Sequence, residues 1–268
     1  MTCHDFTHAI LRTPGRSVVD GLRAHDGPGP EYGAVLREHA GYALALKDAG
    51  LEIELLEPLE EFPDSVFVED PALVFEEGAI LLDPGAASRR GEVERLAPVL
   101  ERHFGDVIRL AAGHADGGDV LVTPGRVLIG LSARTDAAGA KALAAALGRL
   151  GRAAEIVAPP REALHLKTIA TLIDAETILT TRAGAASGLF AGFRTIVTDP
   201  AEDAAANALR VNETLLLSAG HPRIADRLDR EGYRLALVDT AHVGRVDAGL
   251  SCMSLRWKAG SGAATRGQ

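Results

Sequence analysis

The chain has 268 residues, a formal net charge of −9 and an apolar share of 47%, with 4% aromatics and 29 glycines. That apolar share supports a sizeable core, built mostly of Ala, Val, Leu and Ile, and excludes an intrinsically disordered chain. The acidic balance argues against nucleic acid or an anionic membrane as partner and is compatible with a cationic small substrate. Cys3 and Cys252 sit at opposite ends of the chain and offer neither a disulfide framework nor zinc-finger spacing, so a reducing compartment is the default. The opening MTCHDFTHAI lacks a basic region followed by an apolar run. No stretch approaches the ~18 apolar residues of a transmembrane helix, so a soluble, cytoplasmic protein is expected.

The elements follow in order. THAILR reads as a strand. Ala24 to Glu31, with two Gly-Pro steps, reads as a mobile loop or lid. A helix is expected from about Tyr32 to Ala49, then a strand at LEIELL. From Asp64, SVFVED and PALVF read as strand, with AILLD following the turn at Glu76–Gly78. A helix runs to His103, and Pro98 predicts a kink or a late start in it; the strand VIRL follows. From Asp116, GGDVLVT and RVLIG form a hairpin across Pro124-Gly125, before a helix from Ala137 to Leu150 and a strand at EIVA. From His165, TIATLI and TILTT flank Asp174-Ala175. Near Ala206, ALRV and TLLLS flank Asn212-Glu213, and a helix begins at Pro222 and ends before Gly232. A fifth hairpin begins at Ser251.

The starts at 64, 116, 165, 206 and 251 mark a repeat of ββαβ units, whose fifth member lacks its helix and last strand. The N-terminal strand, helix and strand supply those pieces. Five such units, the last completed by the first segment, would close an α/β ring and protect the sheet edges. The alternative is an open α/β sandwich. In the ring, the strand at His8 to Arg12 pairs with Met253 to Trp257. One domain is expected over 1–257, with a disordered tail over 258–268.

In the ring every unit start lies at one end, so Asp64, Glu69, Asp70, Asp116, Asp119, His165 and Cys252 converge. Convergent acids suit a guanidinium, which presents its N–H donors in a planar fork. They also suit turns and caps, where Asp is favoured. Cys252 is either a nucleophile or a small buried apolar group, and His165 either a catalyst or a core histidine. Arg89 and Arg134 hold equivalent places in units one and two and could clamp a carboxylate or lie on the surface. Cys3, His4 and His8 could bind a metal, but they are expected to lie in a tail and are assigned no role.

FPDSVFVED, PGAASRRGEV, DGGDVL, GLSART, LHLKT and GLSCMS, spread between about Ala9 and Trp257, resemble the dimethylarginine dimethylaminohydrolases of the pentein superfamily. The resemblance implies a five-fold α/β propeller. It also implies hydrolysis of methylated arginine to citrulline and a methylamine through a Cys-linked S-alkylthiouronium. By resemblance Cys252 is the nucleophile, His165 the general acid and base, and Asp116 its orienting partner. Asp70, helped by Glu69, would bind the guanidinium, Asp64 the α-amino group, and Arg89 and Arg134 the carboxylate. Leu22 and Val246 would add main-chain contacts, and the lid falls on 21–31. No cofactor or metal is implied, nor a nucleic-acid or membrane partner, and the chain would act as a monomer or homodimer. The rivals are another guanidine-modifying pentein, such as an arginine deiminase, and a non-catalytic pentein.

Overall fold

A computed structural model describes residues 3–24 and 26–260. The chain opens with β1 (His8–Arg12), α1 (Tyr32–Asp48) and β2 (Glu52–Leu56). Next come β3 (Ala72–Phe75), β4 (Gly78–Leu81), α2 (Arg90–His103) and β5 (Val107–Arg109), then β6 (Val120–Thr123), β7 (Arg126–Gly130), α3 (Ala137–Arg149) and β8 (Ala154–Val157). The third unit holds α4 (Leu166–Ile169), β9 (Ala170–Leu172), β10 (Thr177–Thr180), α5 (Arg182–Ala186) and β11 (Arg194–Val197). The fourth holds β12 (Leu209–Val211), β13 (Thr214–Ser218), α6 (Pro222–Arg230) and β14 (Arg234–Val238), and β15 (Leu255–Trp257) follows.

These strands form five three-stranded sheets. In each, a middle strand pairs antiparallel with an inner strand and parallel with an outer one, which is reached through a helix-bearing crossover. The fifth sheet is assembled from both ends of the chain: β15 pairs antiparallel with β1, with His8 opposite Trp257 and Ile10 opposite Leu255, and β1 pairs parallel with β2. β15 in turn lies beside β3, and β6 beside β9. The fold is the five-fold α/β propeller, closed by the two terminal strands.

The middle strands explain the apolar runs. β4, β10 and β13 are buried at every position, because inner strands cover one side and helices the other. The closing seam is packed around Trp257, 5% exposed, whose ring meets His8, His103 and Phe104 at centroid distances of 5.2–5.4 Å. Pro124-Gly125 makes the expected hairpin turn; Gly125 takes φ +88°, a left-handed conformation that suits glycine after proline.

Two expectations fail. SVFVED is not a strand but a run of turns, buried from Asp64 to Leu73, where the chain folds back at the end of the ring. Its unbroken apolar stretch reflects burial on all sides rather than sheet pairing. Of the two outcomes expected at Pro98, the late start does not occur: α2 begins at Arg90 and continues through Pro98 to His103. Pro98 and Glu94, whose carbonyl loses its partner, both face solvent, so water can replace the missing hydrogen bond. Thr168 and Ile169, read as strand, belong to the short α4. Of the tail expected over 258–268, residues 261–268 lie outside the described residues, as does His25 of the 21–31 segment.

Candidate active site

The segments that precede the inner strands meet at one end of the ring. DGGD opens β6 as a tight turn over Gly117–Asp119. Glycine is required here: a Cβ on Gly117 would lie 2.0 Å from the Glu69 carbonyl oxygen, and one on Gly118 2.8 Å from the His165 ring. The close approach brings Asp70 onto the turn, where its Oδ1 accepts from the Gly118 N–H at 3.0 Å.

His165 caps α4 and is 8% exposed. Its Nε2 lies 3.2 Å from Oδ2 of Asp116, which is 1% exposed; Oδ1 of Asp116 accepts from the Gly85 N–H at 2.8 Å. Burial lowers the His165 pKa, but the hydrogen bond to Asp116 and the charges of Asp70 and Asp119 outweigh it and leave the imidazole above its ordinary value. Cys252 lies in a turn over Leu250–Met253 and is 8% exposed. Its carbonyl accepts from the Glu69 N–H at 3.2 Å. Burial, then the charges of Asp70 and Glu69, push its thiol up to about 12.

Arg89 organises the acids. It is 4% exposed, ion-pairs with Asp70, and binds Glu92 through Nε at 3.0 Å and Nη2 at 2.7 Å. Nη2 also donates to the carbonyls of Asp64 and Phe67. Burial raises the Asp70 pKa, but Arg89 first, then His165, hold it below its ordinary value. Glu92 goes the other way: burial outweighs Arg89 and lifts it to about 7. Glu69 is held from below, with Lys167 Nζ at 2.6 Å and Arg256 Nη2 at 2.9 Å from Oε1. Its Oε2 is buried with no hydrogen-bond partner among the described residues.

Asp64, Leu22 and Val246 form the other flank. The Leu22 N–H donates to Asp64 Oδ1 at 2.9 Å, and a Cβ on Gly21 would touch both Asp64 and Val246. Burial raises the Asp64 pKa against the opposing pull of Arg89 and the Leu22 N–H. The segment over 21–31 has no helix or strand among its described residues. The Ala24 N–H donates to Asp247, the Glu31 N–H to His242 Nδ1 at 3.0 Å, and Arg245 to the Gly29 carbonyl at 3.2 Å. Arg134 sits on a loop against Gly85 and is half-buried; its guanidinium makes no ion pair among the described residues.

The sites read from the sequence thus gather at one end of the ring, and the geometry adds Glu92, Lys167, Arg256, Ser132 and Thr135. Lys167 lies inside the LHLKT motif, Ser132 and Thr135 inside GLSART and Glu92 inside PGAASRRGEV; Arg256 carries no signal except its nearness to Cys252. Ligand atoms of Asp70, Asp116 and His165 lie within 4.8 Å of one another. Each carboxylate is already held by protein donors and Arg89 adds a cation alongside, so the group reads as an ion-pair network rather than a metal centre.

The arginine deiminase family profile matches residues 37–215. The dimethylarginine dimethylaminohydrolase of Pseudomonas aeruginosa is 40% identical over 254 residues, covering 94% of this chain and all of that one. The chain belongs to the dimethylarginine dimethylaminohydrolase family. A second member, from Streptomyces coelicolor, is 32% identical over 92% of this chain and 96% of its own. The crystal structure of a Cys-to-Ser variant of the P. aeruginosa enzyme with citrulline superimposes with a TM-score of 0.91, covering 94% of this chain and 99% of that one. This dimethylarginine dimethylaminohydrolase family member has no described helix long and apolar enough to cross a membrane.

Proposed function

We propose that the chain hydrolyses Nω,Nω-dimethylarginine, and monomethylarginine, to citrulline and the corresponding methylamine, with Cys252 as nucleophile. The observation that carries this is the convergence of a buried thiol, a His–carboxylate pair and two acids, Asp70 and Glu69, on one end of the ring. Asp70 and the unpartnered Oε2 of Glu69 suit the N–H donors of a guanidinium. Half-buried Arg134, together with Arg89, suits the substrate carboxylate, and Asp64 with main-chain groups of Leu22 and Val246 suits its amino group. The segment over 21–31, tied to 242–247, serves as a lid.

The chemistry follows. A cation seated on Asp70 and Glu69 offsets the charges that hold the Cys252 proton, so the proton passes to solvent and the thiolate forms beside its electrophile. The sulfur attacks the guanidinium carbon. His165, held through Nε2 by Asp116, gives a proton to the departing dimethylamine, and the C–N bond breaks to leave an S-alkylthiouronium. His165 then takes a proton from water, whose oxygen adds to the same carbon. The C–S bond breaks as the added hydroxyl gives its remaining proton to solvent and becomes the ureido carbonyl, Cys252 leaves as thiolate, and citrulline is released. A reducing, cytoplasmic setting keeps both cysteines as the free thiols found here.

Asp70 and Glu69 serve the unmethylated nitrogens, and a donor lost to methylation on their side would leave a buried acid unpaired. The methylated amine therefore faces His165 and leaves. Citrulline release from dimethylarginine is expected to exceed that from arginine by about 10-fold or more in kcat/KM, with arginine acting as a competitive inhibitor. Equal or faster hydrolysis of arginine would move the assignment to an arginine deiminase.

A further inference from the structure

The imidazole and its carboxylate lie on different segments, and a third pair of side chains joins them. Asp119, the second acid of DGGD, is fully buried. Its Oδ1 accepts from the N–H of Leu166, the residue after His165, at 3.0 Å. Its Oδ2 accepts from the hydroxyl of Thr135 at 2.7 Å and from that of Ser132 at 2.6 Å. Thr135, 1% exposed, uses the same oxygen to accept from the Asp116 N–H at 3.1 Å. The Ser132 hydroxyl accepts from the Arg134 N–H at 2.9 Å.

Except for the Ser132–Arg134 bond, which lies within one loop, every hydrogen bond in this set joins one site-bearing segment to another. Thr135 spends its donor on Asp119 and its acceptor on Asp116; Asp119 then grips the backbone at His165. The Asp116–His165 distance is therefore fixed twice: directly, and through Thr135 and Asp119. Such double fixing matters because proton transfer tolerates little misplacement of donor and acceptor.

We propose that Asp119 and Thr135 form a positioning link that sets the His165–Asp116 pair for proton transfer, while Ser132 ties the same carboxylate to the Arg134 loop. Neither residue touches the reacting atoms. The link rests on the reading of His165 as acid and base.

The test compares Thr135→Val, which keeps the shape and loses the hydroxyl, with Thr135→Ser, which keeps the hydroxyl. Citrulline release from dimethylarginine is followed, with wild type alongside. Thr135→Val is expected to lower kcat by roughly 10- to 100-fold with KM within about threefold of wild type, because misplacement penalises the chemical step. Thr135→Ser is expected to restore kcat to within about threefold of wild type. Ser132→Ala, which removes a part-buried bond to Asp119 and the acceptor of the Arg134 and Thr135 N–H groups but leaves the Thr135 hydroxyl between Asp119 and Asp116, is expected to raise KM more than it lowers kcat. If Thr135→Val is not recovered folded, Thr135→Ala against Thr135→Ser gives the same comparison. A valine variant with wild-type kcat, a serine variant as impaired as the valine, or the same kcat loss in Ser132→Ala would overturn the link. A wild type that releases no citrulline strikes the functional reading itself, a result the variant ratios cannot produce.

Discussion

Replacing Cys252 with serine is expected to lower citrulline release on the order of 10³-fold or more while leaving citrulline binding intact. In the free protein the Cys252 proton is held by burial first and then by Asp70 and Glu69, which push the thiol up to about 12. A bound guanidinium counters the last two causes, and a thiol can then ionise. An alcohol starts far above a thiol and does not follow, and His165, oriented by Asp116 to manage the amine and water protons, is a weak base for it. The side chain is otherwise matched in shape, so the ion-pair network around Arg89 and Asp70 should persist. Steady-state citrulline assays check the rate, and a citrulline-dependent rise in melting temperature checks binding. Retention of more than about a tenth of the wild-type rate would remove Cys252 from the nucleophile's role.

The second large effect concerns His165. His165→Ala is expected to cost roughly 10²–10⁴-fold in kcat, the usual worth of a positioned acid and base. The pH profile carries the sign. Burial lowers the imidazole pKa, but the Asp116 hydrogen bond, Asp70 and Asp119 together raise it above its ordinary value. The protonated form that serves the leaving amine therefore persists above the pH at which an ordinary imidazole loses its proton and is lost as pH rises through the raised value. The alkaline limb of wild-type kcat/KM, which reports the free protein, should lie above the ordinary imidazole range. In Asp116→Asn, which removes the largest raising cause, that limb should move to lower pH. The same shift has a stability counterpart: the protonated imidazole contributes fully below its unfolded-state pKa, and the contribution fades as pH rises through the folded one. A wild-type limb at or below the ordinary value, unmoved in Asp116→Asn, would show that His165 does not supply the proton.

Much of this was legible in the sequence because the repeat writes itself in turn chemistry. Pro124-Gly125 marks a hairpin by backbone geometry alone, and Pro222 and Gly232 bracket α6 for the same local reason. The missing helix and strand of the fifth unit announced the pairing of His8 with Trp257 across the whole chain. SVFVED was misread because an apolar run buried on every side has the same letters as a buried strand. Arg89 shows a different limit. Its place in the motif suggested a carboxylate clamp, whereas its nearest partners are Asp70 and Glu92, and Glu92 became visible only once α2 turned it inward. Lys167 and Arg256 meet at Glu69 from distant units, a contact that no local spacing encodes. Thr135 illustrates the same point at closer range: its motif was recognised for Arg134, while the buried hydroxyl beside it ties Asp116 to Asp119.

The account turns on a carbon–sulfur bond at Cys252, and the most direct measurement looks for that bond. Excess wild-type protein is mixed with dimethylarginine, quenched in acid at successive times within a single turnover, and analysed by mass spectrometry of the intact chain and of its Cys252 peptide. The predicted result is a transient amidino adduct, formed with loss of dimethylamine, confined to Cys252 and decaying as citrulline appears, with neither adduct nor citrulline in Cys252→Ser. Citrulline formed while Cys252 stays unmodified throughout, or an adduct carried on Cys3, would contradict it.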